Sequence, residues 1–370
     1  MTAKKITDTL FFDARYIRVD HHDGISRFSS GLCQEVSRKI KTVAIICDER
    51  QLQYLPEAIE HVKLSDPTNA LSELLIARKL NKLGAKLVFS PMQTIGSLGR
   101  KYKLILTLHD LIYYRHPAPP PSFSLPIRLL WRLFHLVYWP QRLILNRADA
   151  IATVSNTSKR LIHKFRLTKR PVHVIYNAAG SLASQYEHRQ PSQRPRARQR
   201  LVYMGSFMDY KNVEVLIAGM RLLRDYELHL LSKISPDRRR ELEDLVDQYG
   251  GAVVFHNGVS EAEYHQHLDS AVALVTGSRD EGFGIPLVEA MSRGIPTVVS
   301  NIEIFREIGA DAALFFDQES PESFAEAVKK LESNPRWLEI SAKSVKRAHD
   351  FNWDKSAADL IELINQLRSE

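Results

Sequence analysis

Two carboxylates eight residues apart, Glu281 and Glu289, bracket the run Gly282-Phe283-Gly284-Ile285-Pro286-Leu287-Val288. Glycines at 282 and 284 let a backbone approach a ligand closely. Pro286 suits the first helical position, Gly294 suits the position just past a helix end, and Pro296 blocks continuation, so a helix of about two turns starts at the glycines. The opening of such a helix offers amides and the positive end of its dipole, which suits an anion such as a diphosphate. Phosphate repels carboxylates, so Glu281 and Glu289 are expected to accept hydrogen bonds from hydroxyls near that anion, too far apart to share one proton.

The elements that must position these groups are legible on both sides. Apolar runs at 271–276 and 297–300 read as strands, which makes the segment the turn and helix of a β-loop-α-β unit. Taken alone, the spacing also fits an ordinary strand-to-helix turn with surface acids. With its glycines, proline and flanking strands, the segment resembles the donor-site signature of glycosyltransferase family 4, the retaining "group 1" glycosyltransferases. The resemblance implies an α/β protein of the GT-B fold, two Rossmann-like domains with a deep interdomain cleft. It implies transfer of a hexose from a nucleoside diphosphate to an acceptor hydroxyl with retention. Glu281 would hold sugar hydroxyls and Glu289 the ribose, with Gly282, Phe283, Gly284, Ile285, Leu287 and Val288 around the donor.

Other segments extend the resemblance over nearly the whole chain. Gly205-Ser-Phe-Met-Asp-Tyr-Lys211-Asn212 follows a strand and precedes a helix. Lys211 would stand at an anion-binding helix end as a mobile point charge with three donors, and Asn212 would cap that helix. In the family this lysine neutralises the leaving diphosphate. Many members carry arginine right after the glycine, where this chain has Ser206, so a second cation would come from Arg27 or Arg279 or be absent. His256-Asn257-Gly258 lies at a strand end, where the resemblance sets the nucleobase against the backbone. Gly24-Ile-Ser-Arg27 resembles the first glycine loop, beside donor phosphates and acceptor, although one glycine there also fits a simple helix start. His109-Asp110 directly follows the strand 104–108 and resembles the family's His-Asp pair, with the histidine near the reacting carbon. Ser155, in Thr-Val-Ser-Asn-Thr-Ser, resembles a segment near the acceptor, and helix capping explains it equally well.

Composition sets the frame. At 370 residues, with 44% hydrophobic and 25% charged residues, the chain has room for two soluble domains. The boundaries read as an acceptor domain at 1–183, a polar linker at 184–200, a donor domain at 201–350 and a closing segment at 351–370 that returns to the first domain. Residues 1–180 hold 28 Lys and Arg against 13 Asp and Glu, and the remainder 23 against 30, so the first half is a basic domain that favours an anionic partner. Two cysteines in core-like segments indicate neither a disulfide framework nor a zinc site. The arginine-rich stretch at 194–200 has no aromatic interleaving, so nucleic acid is not expected.

No apolar run reaches membrane-spanning length. Residues 122–147 instead read as a basic, aromatic, amphipathic helix, fitting either an anionic membrane surface or a core helix with snorkelling arginines. The expected place is the cytoplasm, peripheral on the inner face of the cytoplasmic membrane.

The resemblance is nearest to bacterial surface-glycan mannosyltransferases of polysaccharide or lipopolysaccharide assembly. It implies a nucleotide-sugar donor, GDP-mannose first, a glycan or lipid-linked acceptor, and no metal or other cofactor. Two rivals stand beside it: an epimerase or phosphorylase of the same fold, and a non-catalytic module binding nucleotide sugar or anionic lipid.

Overall fold

The computed structural model describes residues 9–20, 23–118, 124–180, 191, 194–195 and 199–369. They form two compact units, one drawn from Met1–Ala178 with Asn352–Glu370, the other from Ala179–Phe351. Most of the expected linker at 184–200 lies outside the described residues, and its last two residues already belong to a strand.

The first unit is a seven-stranded parallel sheet: β1 (Leu10–Asp13), β2 (Thr42–Ile46), β3 (Glu60–Lys63), β4 (Leu87–Ser90), β5 (Lys103–Thr107), β6 (Ala150–Thr153) and β7 (Val172–Val174). Its order is β3-β2-β1-β4-β5-β6-β7. The inner strands are nearly continuous Val, Ile, Leu, Ala and Phe, as expected where helices cover both faces. β3 is exposed and charged, so its apolar pattern does not announce it. Helix α1 (Gly24–Lys39) starts from Asp23, whose carboxylate accepts the Ser26 amide at 2.8 Å. α2 (Ile112–Arg115) and α3 (Leu125–Leu136) follow β5. The closing helix Trp353–Ser369 packs on α1 within this unit: Trp353 meets Phe28 edge-on at 6.1 Å, Lys39 pairs with Asp354 at 2.7 Å, and the Ser356 hydroxyl donates to the Tyr176 carbonyl at 2.7 Å.

The second unit is a six-stranded parallel sheet of β8 (Gln199–Tyr203), β9 (Tyr226–Leu230), β10 (Ala252–Phe255), β11 (Ala273–Thr276), β12 (Thr297–Ser300) and β13 (Ala313–Phe316), in the order β10-β9-β8-β11-β12-β13. Helices α4 (Val213–Met220), α5 (Glu261–Asp269) and α6 (Ile285–Ser292) position the residues of interest. The core on one face gathers Tyr203, Phe316, Phe324 and Trp337, whose indole N–H donates to the Val272 carbonyl at 2.8 Å.

In both sheets the order reverses at the first strand, between β1 and β4 and between β8 and β11. Crossover helices leave to opposite faces there, so a crevice opens beyond the carboxyl ends of those two strands. The expected glycine loops of the second unit, after β8 and after β11, both lie at its reversal point.

Candidate active site

The loop after β8 and the loop after β11 are joined by their own polar groups. Asn212 sits in the left-handed region at φ 49°, and its side-chain amide donates to the Gly277 carbonyl at 3.1 Å and to the Gln318 carbonyl at 2.7 Å. The expectation that Asn212 caps α4 with its side chain is thus corrected, because the amide bridges the two loops and makes no cap bond. Gly277 is required for the approach: a Cβ there would lie 2.6 Å from the Asn212 carbonyl oxygen. The Arg279 amide adds a bond to the Tyr210 carbonyl at 2.7 Å.

This bridging brings Lys211 and Glu281 together. Lys211 Nζ lies 2.6 Å from Glu281 Oε1, and the Ser278 hydroxyl donates to the same oxygen at 2.9 Å. Ser278 is held in turn by Thr276 at 3.1 Å, and its carbonyl accepts the Ser300 hydroxyl. Both bonds to Glu281 fall on Oε1, so Oε2 remains to accept from a hydroxyl. Lysine keeps two further N–H donors for an anion. The two side chains retain 13% and 15% of their exposure, enough to be reached by a ligand.

The helix opening beside them is narrower than the sequence suggests. Gly284 adopts φ 91°, and a Cβ there would meet the Phe305 ring at 2.9 Å. Pro286 has no amide proton, and the Leu287 amide donates to the Gly284 carbonyl at 3.0 Å, so among the first three residues of α6 only Ile285 offers its N–H. Phe283, Leu287 and Val288 are buried in the core, Phe283 edge-on to Phe351 at 5.6 Å, so their side chains are structural. Gly282 is buried in the same turn.

Glu289 stands apart from Lys211 and Glu281. It is buried, accepts the Tyr264 hydroxyl at 3.0 Å, and borders a shallow recess with His265, Ser292 and Arg293. Arg279, one candidate for a second cation, is held by Glu319 through bonds of 2.7 and 2.9 Å that raise its pKa. Ser206 is exposed, and its carbonyl accepts the Tyr203 hydroxyl at 2.6 Å.

At the β10 edge of the sheet, the amides of His256 and Gly258 donate to the Leu230 and Leu231 carbonyls at 3.0 and 2.9 Å, so neither faces a ligand. Asn257 takes φ 58°, and its side-chain oxygen accepts the Ile234 amide at 3.1 Å. The His256 ring lies 3.0 Å from that of His229, whose pKa is pushed down to about 4 by burial first and then by the charge of Arg200.

In the first unit His109 leaves the end of β5 with Nε2 2.8 Å from the Pro91 carbonyl, which makes Nε2 the protonated nitrogen of the neutral ring and leaves a lone pair on Nδ1. Phe28 meets the ring edge-on at 5.1 Å. Burial holds its pKa below the ordinary histidine value, against the Pro91 bond and the charge of Asp110. Asp110 accepts the Ile112 amide at 2.9 Å, and Ser155 accepts the Ser158 amide at 3.0 Å, both as helix-start bonds. Gly24 is exposed at the first position of α1, and the Arg27 amide donates to the Asp23 carbonyl at 3.0 Å.

A family model described as "Glycosyl transferases group 1" matches residues 184–351, and one described as "Glycosyltransferase Family 4" matches residues 23–179. The chain is a glycosyltransferase. O-antigen chain mannosyltransferase RfbU of Salmonella typhimurium is 29% identical over 267 residues, 70% of this glycosyltransferase and 69% of that protein. O-antigen chain mannosyltransferase B of Escherichia coli is 25% identical over 278 residues, 71% of this chain and 70% of the other. Among solved structures, sucrose-phosphate synthase from Thermosynechococcus elongatus superposes with a TM-score of 0.72 at 18% identity, covering 98% of this chain and 99% of its own. Anabaena Alr3699/HepE, in complex with UDP and glucose, superposes with a TM-score of 0.70 at 16% identity, covering 97% and 100%. These likenesses make the fold of this glycosyltransferase GT-B.

Two clusters escape the sequence. At the reversal point of the first unit, the Arg15 guanidinium is bonded to Asp13 at 2.7 and 2.9 Å and to Glu73 at 2.9 and 3.1 Å, all three side chains buried or nearly so. Asp13 at the end of β1 was a visible signal, but Glu73 is 58 residues from Arg15. In the second unit His229 and His267 join His256, and nothing in their spacing foreshadows the meeting.

Proposed function

We propose that this glycosyltransferase moves a hexose, mannose first, from a nucleoside diphosphate to a hydroxyl of a glycan or lipid-linked acceptor, with retention, in the assembly of surface polysaccharide or lipopolysaccharide. The observation that carries it is the Lys211–Glu281 contact at the reversal point of the second sheet. Lys211 directs its remaining donors at the leaving diphosphate, with the Ile285 amide beside it, and Glu281 Oε2 accepts a sugar hydroxyl. Glu289, oriented by Tyr264, accepts from the ribose. The bond from the anomeric carbon to phosphate oxygen breaks, the bond to the acceptor oxygen forms on the same face, and the acceptor proton passes to the departing phosphate. The positive charge comes from the chain, so neither magnesium nor manganese is required. The names of the relatives favour mannose and O-antigen assembly.

The deciding experiment offers GDP-mannose, UDP-glucose, UDP-galactose and UDP-N-acetylglucosamine to the purified chain, without added magnesium or manganese, and follows thermal shift and slow donor hydrolysis. One donor should raise the melting temperature, and Lys211→Ala and Glu281→Ala should abolish the shift. Donor consumption without acceptor that yields an epimer, or no binding of any nucleotide sugar, overturns the assignment. The anomeric configuration of the product, read by NMR, decides retention.

Helix α3 supports a membrane partner. None of its residues is buried, and Leu125, Leu129, Leu133 and Leu136 are 77%, 61%, 53% and 71% exposed, which removes the core-helix alternative. Trp131 packs edge-on to Tyr113 at 4.8 Å and His135 to Tyr114 at 5.0 Å, so the aromatic side holds the helix to α2 while the leucines face outward beside Arg132. Such a helix in a basic domain suits the headgroup layer of an anionic membrane, here the inner face of the cytoplasmic membrane. The chain should co-sediment with phosphatidylglycerol vesicles and not with phosphatidylcholine vesicles, and Leu129→Ser with Leu133→Ser should release it. Equal partition to both vesicle types would remove the membrane from this reading.

A further inference from the structure

Three imidazoles meet away from Lys211 and Glu281. His229 lies in β9, His256 directly follows β10, and His267 lies on α5. One ring nitrogen of each lies within 4.8 Å of the other two. His229 and His256 are stacked with centroids 5.2 Å apart, and His267 stands edge-on to His256 at 4.5 Å. Three atoms so confined share a point no more than about 2.8 Å from each, and zinc–imidazole bonds run to about 2.0–2.1 Å, so closing around an ion asks less than about 1 Å of each ring.

The hydrogen-bonding pattern points the same way. His229 Nδ1 and His256 Nε2 are 3.0 Å apart, a contact that holds one proton between two neutral rings. An ion coordinated by both nitrogens takes the place of that hydrogen bond, and the donor ring then carries its proton on its far nitrogen. The other nitrogen of His229, Nε2, is buried without a hydrogen-bond partner, and the nearest carboxylate oxygen, Glu227 Oε2, is 3.5 Å away. A carboxylate behind the far nitrogen of a ligating histidine is how protein metal sites fix ring orientation and basicity. His267 Nδ1 is likewise buried and unpartnered. His229 is 6% exposed while His256 and His267 are half-buried, so the cluster has a closed floor and a side open to water for a fourth ligand. Of the charges that face the cluster, Arg200 opposes a cation, while Glu227 and Glu263 favour one.

We propose that His229, His256 and His267 form a binding site for a divalent first-row transition ion of the zinc class, with Glu227 orienting His229. Imidazole donors select zinc, cobalt, nickel or copper over magnesium and calcium, which prefer oxygen. The ion ties α5 to the carboxyl ends of β9 and β10. It is separate from the transfer chemistry proposed above, which assigns no role to these rings.

The test uses the full chain without a polyhistidine tag, stripped with a chelator and titrated with Co²⁺. One ion per chain should bind, with the visible ligand-field bands of a low-coordinate nitrogen site, and Zn²⁺ should displace it. The melting temperature should rise with Zn²⁺ and stay unchanged with Mg²⁺. His267→Gln and His256→Asn should each weaken binding at least about tenfold, and His61→Gln, an exposed histidine of the other unit, should leave it unchanged. Failure to saturate, a six-coordinate water-like cobalt spectrum, or equal affinity in the His267 and His256 variants overturns the site. The cobalt spectrum of the unaltered chain decides the matter even where a variant fails to fold. Nucleotide-sugar binding is a separate readout, so this site and the transferase assignment fail independently.

Discussion

The two sheets reverse their strand order at the same relative place, and each brings a cation to carboxylates there, yet they treat the charge in opposite ways. In the first unit, Arg15 is locked by Asp13 and Glu73, with the arginine and aspartate side chains wholly out of solvent. The Ser65 carbonyl takes a further guanidinium donor at 3.0 Å, and the Gly96 amide takes a Glu73 oxygen at 3.1 Å. Burial works against the guanidinium charge, but the two carboxylates outweigh it and raise the Arg15 pKa. In the second unit, Lys211 has a single carboxylate partner among the described residues, and both side chains stay partly exposed. A planar fork saturated by two carboxylates closes a crevice, whereas a three-donor ammonium with one partner leaves the crevice able to take an anion. The same topology thus yields a filled point in one unit and an open one in the other.

The largest effect should come from breaking the filled point. Arg15→Ala leaves two buried carboxylates unpaired and should cost about 3–5 kcal/mol of stability in the first unit, read as a lower urea midpoint for that unit's transition. A midpoint unchanged within error would mean the network is not the brace that its burial implies. Next in size is Gly277→Ala, which drives a methyl group to 2.6 Å from the Asn212 carbonyl oxygen and pushes the two loops of the open point apart. It should cost about 1–3 kcal/mol and reduce transfer, with the destabilisation confined to the second unit. Smaller again is Tyr264→Phe, which removes the hydroxyl bonded to Glu289. It should cost about 1 kcal/mol and raise the donor KM several-fold with little change in kcat. A fall in kcat alone would detach Glu289 from donor binding.

How much of this was legible in the sequence follows from which constraints are local. The open point was readable because glycines, prolines and a lysine within two short loops dictate backbone and charge on their own. β3 and β13 were not, the first because an exposed edge strand carries Glu, His and Lys rather than an apolar run, the second because Ala313–Phe316 is a four-residue run that reads equally as helix. Arg15 and Glu73 meet only after the sheet has formed, and a single histidine inside β9 gives no hint of two others on β10's exit and on α5. The motif around Glu281 suggests a wider anion site than the structure offers, since the proline and a tightened first turn take two of three amides out of play. Leu287 and Val288 fell inside the same motif, yet their side chains serve the core. Motif membership marks a segment and does not say which way each side chain turns.

The smallest effect sharpens the comparison through pH. In the first unit His109 stands one strand beyond the filled point, its pKa held down by burial. The unfolded chain takes up a proton at the ordinary histidine value of about 6.5, while the folded chain does so only at lower pH. Between those values the unfolded state binds more protons, so the contribution of His109 is fully present above about 6.5 and is lost as pH falls toward the folded value. His229 in the second unit, also depressed, weakens folding in the same direction. The telling quantity is therefore the difference between the unaltered chain and His109→Gln, in which a neutral amide can still donate to the Pro91 carbonyl. Thermal stability measured between pH 7 and pH 5 should fall less steeply in the variant. Parallel curves would take His109 out of the acid response and leave it to other histidines depressed by burial, among them His135 and His173 in the first unit and His229 in the second.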